Sequence, residues 1–261
     1  MPGLEAILES TRRTLPALRT RRKVLERMAR SRAAPRELAG ALRSGSVSVI
    51  AEVKRRSPSA GSINTGLDPI RLAGDYARGG AAAISVLTDE PYFGGSLADL
   101  EAVSSTIALP VVRKDFILDE VQLLEARAAG ASAALLIVRA LDSAALRRLI
   151  VFADAIGLGA LVEAHAPDEV DRALEAGAHV VGVNARDLDT LAVDTGRAWE
   201  ALARIPADRV AVAESGMSSR SDVERAAAAG ADAVLVGTAL AGAGDPAAGV
   251  AALAGVRRRG R

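Results

Sequence analysis

The chain has 261 residues, half of them hydrophobic, a size that suits one large α/β barrel or two small domains. It contains no cysteine and two histidines, which excludes a disulfide framework, a thiolate nucleophile and any Cys-ligated or His-rich metal site. No apolar run approaches the ~20 residues of a membrane span, and no charged-then-apolar signal pattern opens the chain, so a cytoplasmic protein with no membrane partner is expected.

The net charge of +1 is unevenly placed: eleven basic and four acidic residues precede Gly45, and 22 basic and 28 acidic residues follow. A basic arm can signal nucleic acid. Here Leu4, Ile7, Leu8, Leu15, Leu18, Val24, Leu25 and Met28 approximate helical spacing, so an amphipathic helix lying on an acidic body is the better reading. No nucleic-acid partner is expected. Beyond the arm, a Gly-Ala step leads into an apolar strand at Gly80, Gly130, Gly177 and Gly230, at intervals of 50, 47 and 53 residues. Each interval holds two βα units. The strands read Val47–Lys54, Ala82–Thr88, Pro110–Phe116, Ala133–Val138, Gly159–Ala164, Val180–Ala185, Arg209–Ser215 and Ala233–Thr238.

Helix-period segments lie between them, opened by Asp68-Pro69, Asp119, Asp142-Ser143, Pro167-Asp168 and Ser219–Ser221, and stopped by glycines. The strands are near-continuous apolar runs, as in parallel sheets buried on both faces. Such alternation also suits a doubly wound sheet, but eight units in a fourfold repeat favour closure, and no Gly-x-Gly-x-x-Gly follows the first strand. The expected fold is α/β, a single (βα)8 TIM barrel with an N-terminal helical extension. Residues 1–45 are expected to lie over the barrel mouth near strand ends one and eight, as a basic cover that helps capture an anionic substrate. Residues 46–261 form the catalytic barrel. The arginine-rich tail from Arg257 lacks apolar partners and is expected to fray.

Barrel enzymes carry their chemistry at the C-terminal ends of the strands. Only three of the 33 basic residues are lysine, and two of them, Lys54 and Lys114, stand at strand ends. Lysine can donate a proton or lose its charge in a dry site, whereas arginine effectively cannot. Glu163 should face the same mouth and serve as base or relay, with Glu52 and Glu214 tuning and orienting it. Asn184 can hydrogen-bond a substrate oxygen, and Arg186 can hold Asn184 or a carboxylate. Ser215-Gly216 and Gly237-Thr238 read as a phosphate cradle on adjacent strands. Tyr92, Phe93 and Phe116 follow strands two and three and suggest a flat substrate. Trp199, Phe152 and Tyr76 read as packing residues. His165 and His179 have no partner at ligand or triad spacing and are taken as unremarkable.

These residues resemble the motifs of the indole-3-glycerol-phosphate synthase family. The likeness runs through Ile50–Ser59, Leu87–Asp89 with Tyr92–Ser96, and Arg113–Ile117. It continues through Val162-Glu163, Val183–Leu188, Ala213–Gly216 and Leu235–Thr238, in order along almost the whole chain. The resemblance implies closure of 1-(2-carboxyphenylamino)-1-deoxyribulose 5-phosphate to indole-3-glycerol phosphate, with loss of carbon dioxide and water and no metal or organic cofactor. It implies Lys114 as general acid, Lys54 holding the substrate carboxylate, Glu163 as base or relay, and Glu52 and Asn184 in the catalytic group. Ser57, Ser215, Gly216, Gly237 and Thr238 would hold phosphate, Phe93 and Phe116 would line the aromatic pocket, and Arg186, Glu214 and Leu235 would complete the binding set. A monomer or weak homo-oligomer acting on this small phosphorylated substrate is expected. A sibling sugar isomerase would use two Asp, or a Cys and an Asp, instead of lysines. A Schiff-base aldolase would form a borohydride-trappable adduct. A non-catalytic metabolite-binding barrel would not need this set of ionisable residues.

Overall fold

The structure is a computed structural model and describes residues 3–57, 61–64 and 66–260. Pro58 and Ser59 of the first-strand motif lie outside the described residues. Eight strands run parallel in chain order: β1 (Ser48–Val53), β2 (Ala83–Leu87), β3 (Val111–Lys114), β4 (Ala133–Ile137), β5 (Gly159–Ala164), β6 (Val180–Asn184), β7 (Val210–Glu214) and β8 (Ala233–Val236). β1 pairs with both β2 and β8, which closes the barrel and rules out the open doubly wound sheet. Each expected strand is present; Gly159–Ala164 has the expected bounds, and the other seven are one or two residues shorter at one or both ends.

Three helices precede β1: α1 (Leu4–Thr20), α2 (Arg22–Ser31) and α3 (Leu38–Leu42). The barrel then adds α4 (Pro69–Arg78), α5 (Glu90–Phe93), α6 (Leu97–Thr106), α7 (Glu120–Ala128), α8 (Ser143–Ala155), α9 (Pro167–Glu175), α10 (Thr195–Leu202), α11 (Arg220–Ala228), α12 (Thr238–Ala241) and α13 (Pro246–Leu253). Asp68, Asp119, Asp142 and Ser219 cap their helices by accepting backbone N–H groups of the first turn. The repeated Gly-Ala step is the matching stop signal. Gly80, Gly130, Gly177 and Gly230 take φ of 94°, 89°, 96° and 98°, and the alanine after each donates back to the carbonyl five residues earlier. This Schellman turn needs a residue that tolerates the left-handed region, and it aims the chain straight into the next strand.

Inward-facing residues near the strand starts, among them Ile50, Ala83, Val112, Ala133, Val180 and Val210, form the interior core with Leu38 and Leu42 of α3. α3 therefore plugs the N-terminal end of the barrel. Outward-facing residues pack in a separate layer against the surrounding helices. Tyr76 is fully buried, and Trp199 and Phe152 pack against this outer layer.

The arm follows a different path from the one expected. Leu4, Ile7 and Leu8 join the inner cluster, Leu4 and Ile7 line the mouth, and the first turn's polar contacts go to the loops after β2 and β6, with Ala6 O 3.5 Å from the Tyr92 hydroxyl. Leu4 N–H donates to Asp189 Oδ1 at 3.2 Å, in the loop after β6. The chain then runs down the outer wall, where Leu15, Leu25 and Ala29 pack on Val121, Leu124 and Ala128 of α7. Arg19 pairs with Asp119 at 2.6 Å and Arg22 with Glu120 at 2.9 Å. These arginines serve the barrel's side, and the part of the arm that reaches the mouth is apolar, so the expected basic cover is corrected. The tail is corrected too: Arg257 bridges Ser46, and Arg258 pairs with Asp232 and donates to Ser44 O at 3.2 Å. Carboxylate and carbonyl partners at the barrel's base hold it.

Leu42 is fully buried in the plug, and Leu42→Ala should lower unfolding free energy by about 2–5 kcal/mol. A urea midpoint equivalent to less than about 0.5 kcal/mol of change would show that α3 contributes nothing to stability.

Candidate active site

Along each strand the inward side chains alternate with outward ones, so the last inward residues crown the core. β1 runs Ile50, Glu52, Lys54; β3 ends at Lys114; β5 runs Leu161, Glu163; β7 runs Val212, Glu214. The odd-numbered strands thus supply the lysines and glutamates of the mouth. The even-numbered strands supply Leu87, Ile137, Gly182 with Asn184, and Leu235 with Gly237. Barrel layers are filled by alternate strands, so charged and uncharged positions interleave around the mouth. They line a cavity of 470 Å³ together with Leu4 and Ile7 from the arm. All fifteen residues singled out from the sequence face it: Glu52, Lys54, Ser57, Phe93, Lys114, Phe116, Glu163, Asn184, Arg186, Glu214, Ser215, Gly216, Leu235, Gly237 and Thr238. Tyr92 does not; its hydroxyl lies 3.5 Å from Ala6 O in the arm.

Two ion pairs organise the charges. Lys54 Nζ lies 2.8 Å from Glu52 Oε1, and Lys114 Nζ lies 3.0 Å from Glu163 Oε2 and 3.8 Å from Glu214 Oε2. Burial alone would push Lys114 down, but Glu163, Glu214 and Glu52 outweigh it and raise its pKa. Burial would push Glu163 up, but Lys114 and His165 hold it below the usual carboxylate range. Glu214 goes the other way: burial and the neighbouring Glu163 charge raise it well above that range. That shift favours the neutral acid form of Glu214 beside the ionised Glu163.

Arg113, buried on the outer side of β3, donates to Thr88 Oγ1 and Asp115 Oδ2 at 3.1 Å each and to Gln122 O at 2.9 Å. That grip fixes the strand end from which Lys114 projects inward. Asn184 Oδ1 accepts from Ser215 Oγ at 2.8 Å and from Arg186 N–H at 3.0 Å. The Arg186 guanidinium donates to Leu191 O at 2.9 Å. Leu191 and Ser215 have φ of 61° and 65°, a conformation costly for residues with a side chain, and both line the cavity. The rings of Phe93 and Phe116 lie 6.1 Å apart at 39°, forming one apolar wall. Among the described residues no cluster of His, Cys, Asp or Glu has the makings of a metal site, and no helix is long and apolar enough to cross a membrane.

Sequence reasoning missed Leu4, Ile7, Leu188, Leu191, Met217 and Ser218, which also line the cavity. Nothing in their spacing separates them from ordinary packing residues. It also passed over His165, whose ring has a glutamate near each nitrogen, Glu163 at 3.4 Å and Glu169 at 3.3 Å. The pattern Glu163-x-His165-x3-Glu169 carried that signal. His179 sits apart, with Nδ1 3.0 Å from Arg209 Nη1.

Two glycines make room for the charges. A Cβ on Gly182 would overlap Glu214 Oε1, and one on Gly237 would overlap the Glu52 carboxylate. Gly182→Ala should therefore cost about 1–3 kcal/mol of stability, as overpacking does. Much of that loss should disappear when Gly182→Ala is combined with Glu214→Ala, because the two changes share one volume. Additive losses in the double variant would show that Glu214 does not occupy the space that Gly182 leaves.

Residues 4–253 match the family model described as indole-3-glycerol phosphate synthase. An indole-3-glycerol phosphate synthase of Streptomyces griseus is 50% identical over 255 residues, covering 97% of this chain and 95% of its own length. Indole-3-glycerol phosphate synthase 1 of Streptomyces coelicolor is 51% identical over 249 residues, covering 94% of this chain and 92% of its own length. Among solved structures, 3-hexulose-6-phosphate synthase from Salmonella typhimurium superposes with a TM-score of 0.64 at 17% identity, covering 79% of this chain and 96% of its own. At that identity the likeness speaks for the barrel fold alone, while the sequence relatives carry the assignment. The chain belongs to the indole-3-glycerol phosphate synthase family.

Proposed function

We propose that the mouth closes 1-(2-carboxyphenylamino)-1-deoxyribulose 5-phosphate to indole-3-glycerol phosphate, a step of tryptophan biosynthesis, with Lys114 and Glu163 moving the protons. The observation that carries this reading is the part-buried Lys114–Glu163 pair at 3.0 Å, with Glu214 beside it, at the mouth of a barrel from this family.

The aryl carbon that bears the carboxylate bonds to the C2 carbonyl carbon of the sugar chain, and the carbonyl oxygen takes a proton. Lys114, kept as ammonium by its carboxylate neighbours, supplies it. The bond to the carboxylate then breaks, and its electrons return to the ring as carbon dioxide leaves. Lys54, paired with Glu52, holds that carboxylate beforehand and assists the later proton transfer. In the final step the new hydroxyl leaves as water with a proton, and Glu163 takes the proton released as the indole double bond forms. Phe93, Phe116 and Leu235 hold the aryl ring. The Asn184 oxygen is already engaged, so its NH2 is the end that meets substrate hydroxyls, with Glu52, Glu214 and Arg186 ordering the chain. Phosphate rests on Ser57, Ser215, Gly216, Gly237 and Thr238, where Ser215 and Gly216 both take positive φ and two glycines allow close backbone approach. Residues 1–45 act as an extension whose first turn covers this site, and 46–261 as the catalytic barrel. The protein works in the cytoplasm, as a monomer or weak homo-oligomer, without metal or organic cofactor.

The test is to incubate the purified protein with the carboxyphenylamino ribulose phosphate and follow indole fluorescence. Lys114→Ala should remain folded and lose at least ~100-fold in turnover. Glu163→Gln should lower kcat far more than it changes KM, as for a group acting in the transition state. No product from the parent protein would overturn the assignment. Normal turnover in Lys114→Ala, or a change in KM alone in Glu163→Gln, would overturn that residue's role.

A further inference from the structure

His165 Nε2 is a fully buried nitrogen without a hydrogen-bond partner among the described residues, and it lies against the site. The residue follows Glu163 by two positions along the β5 direction, so both side chains leave on the inner face. Nε2 stands 3.4 Å from Glu163 Oε1, the oxygen that Lys114 does not hold. On the other side, Glu169 Oε2 lies 3.3 Å from Nδ1 and accepts the His165 backbone N–H at 2.8 Å. Glu169 is itself fixed: it sits in the first turn of α9, and Arg139 Nε holds its second oxygen at 3.1 Å while reaching Asp187 at 3.1 Å. The charged groups facing the imidazole are therefore Glu163, with Lys114 behind it, and Glu169, with Arg139 and Asp187 behind it.

An imidazole between two carboxylates meets acceptors on both sides and satisfies them only with a proton on each nitrogen. The arrangement mirrors the way a fixed carboxylate orients a working histidine, with the histidine here as the intermediary. We propose that His165 is a positioning residue: Glu169 fixes its ring, and the imidazolium Nε2–H holds Glu163 Oε1 so that the carboxylate stays aligned with Lys114. The 3.4 Å separation is that of a contact that tightens once substrate closes the site. The proposal rests on the reading of Glu163 as the group that moves a proton.

The chain has only two histidines, so ¹⁵N-histidine NMR resolves them, and a His179→Asn variant assigns the signals. The His165 ring-nitrogen signals should shift in Glu163→Gln, where the facing oxygen is no longer an anion, while those of His179 stay unmoved. This readout does not depend on turnover, so an inactive parent would sink the assigned reaction while leaving the contact decided. In kinetics, His165→Asn retains a donor toward Glu169 but none toward Glu163. It should lower kcat on the order of tenfold, with KM within about twofold, and move the acid limb of kcat to higher pH because Glu163 loses a group that favours its charge. His165→Gln, which reaches the Nε2 position, should recover part of kcat. His165 signals unmoved by Glu163→Gln, or a His165→Asn enzyme with parental kcat and pH profile despite a lower Tm, would overturn the proposal.

Discussion

Glu52, Lys54, Lys114, Glu163 and Glu214 form a cluster at the mouth of this barrel, the three carboxyls buried and the two lysines partly so. Taking isolated charges out of water is costly, so such a cluster persists only when its charges cancel and its hydrogen bonds are made. Glu163 has Lys114 against it at 3.0 Å and His165 on its far side, whereas Glu214 is 3.8 Å from the same lysine and beside the Glu163 charge. That difference holds Glu163 below the usual carboxylate range and pushes Glu214 above it, toward the neutral acid. The chemistry proposed for the site follows from that split: Lys114 is kept charged and able to donate, and Glu163 is kept ionised and able to accept.

The rest of the fold serves this cluster. Charges from alternate strands need uncharged neighbours small enough to admit them, and Gly182 and Gly237 on even-numbered strands leave that space. Arg113 anchors the end of β3 from outside, so that Lys114 is aimed by a rigid element rather than by a loop. Below the cluster the interior is aliphatic and sealed by α3. Above it, Leu4 and Ile7 meet Phe93 and Phe116 and narrow the opening. The arm thus touches both ends of the barrel, through Leu4 and Ile7 at the mouth and α3 at the base.

Much of this was legible in the sequence because it is written in local chemistry. The Gly-Ala steps are Schellman turns, which depend on one glycine each, and the strands between them are apolar on both faces. Once the strand ends were located, alternate residues there were expected at the mouth, and the fifteen candidates line the cavity. What sequence could not convey was tertiary choice. Helical spacing in the arm specifies an apolar stripe but not the surface it covers, so its contacts with the loops after β2 and β6 were missed. The partners of Arg258 lie far away in the chain, at Asp232 and Ser44, and a search for apolar contacts overlooked them. His165 was overlooked because its partner Glu163 was considered only as a partner of the lysines.

The protonation of Glu214 tests the account most directly. Infrared difference spectra of the parent protein against Glu214→Gln at neutral pH should show loss of a protonated carboxylic acid C=O band, with the carboxylate bands unchanged. Loss of carboxylate absorption instead would mean that Glu214 is ionised, and that the buried cluster is not neutralised in the way its distances imply.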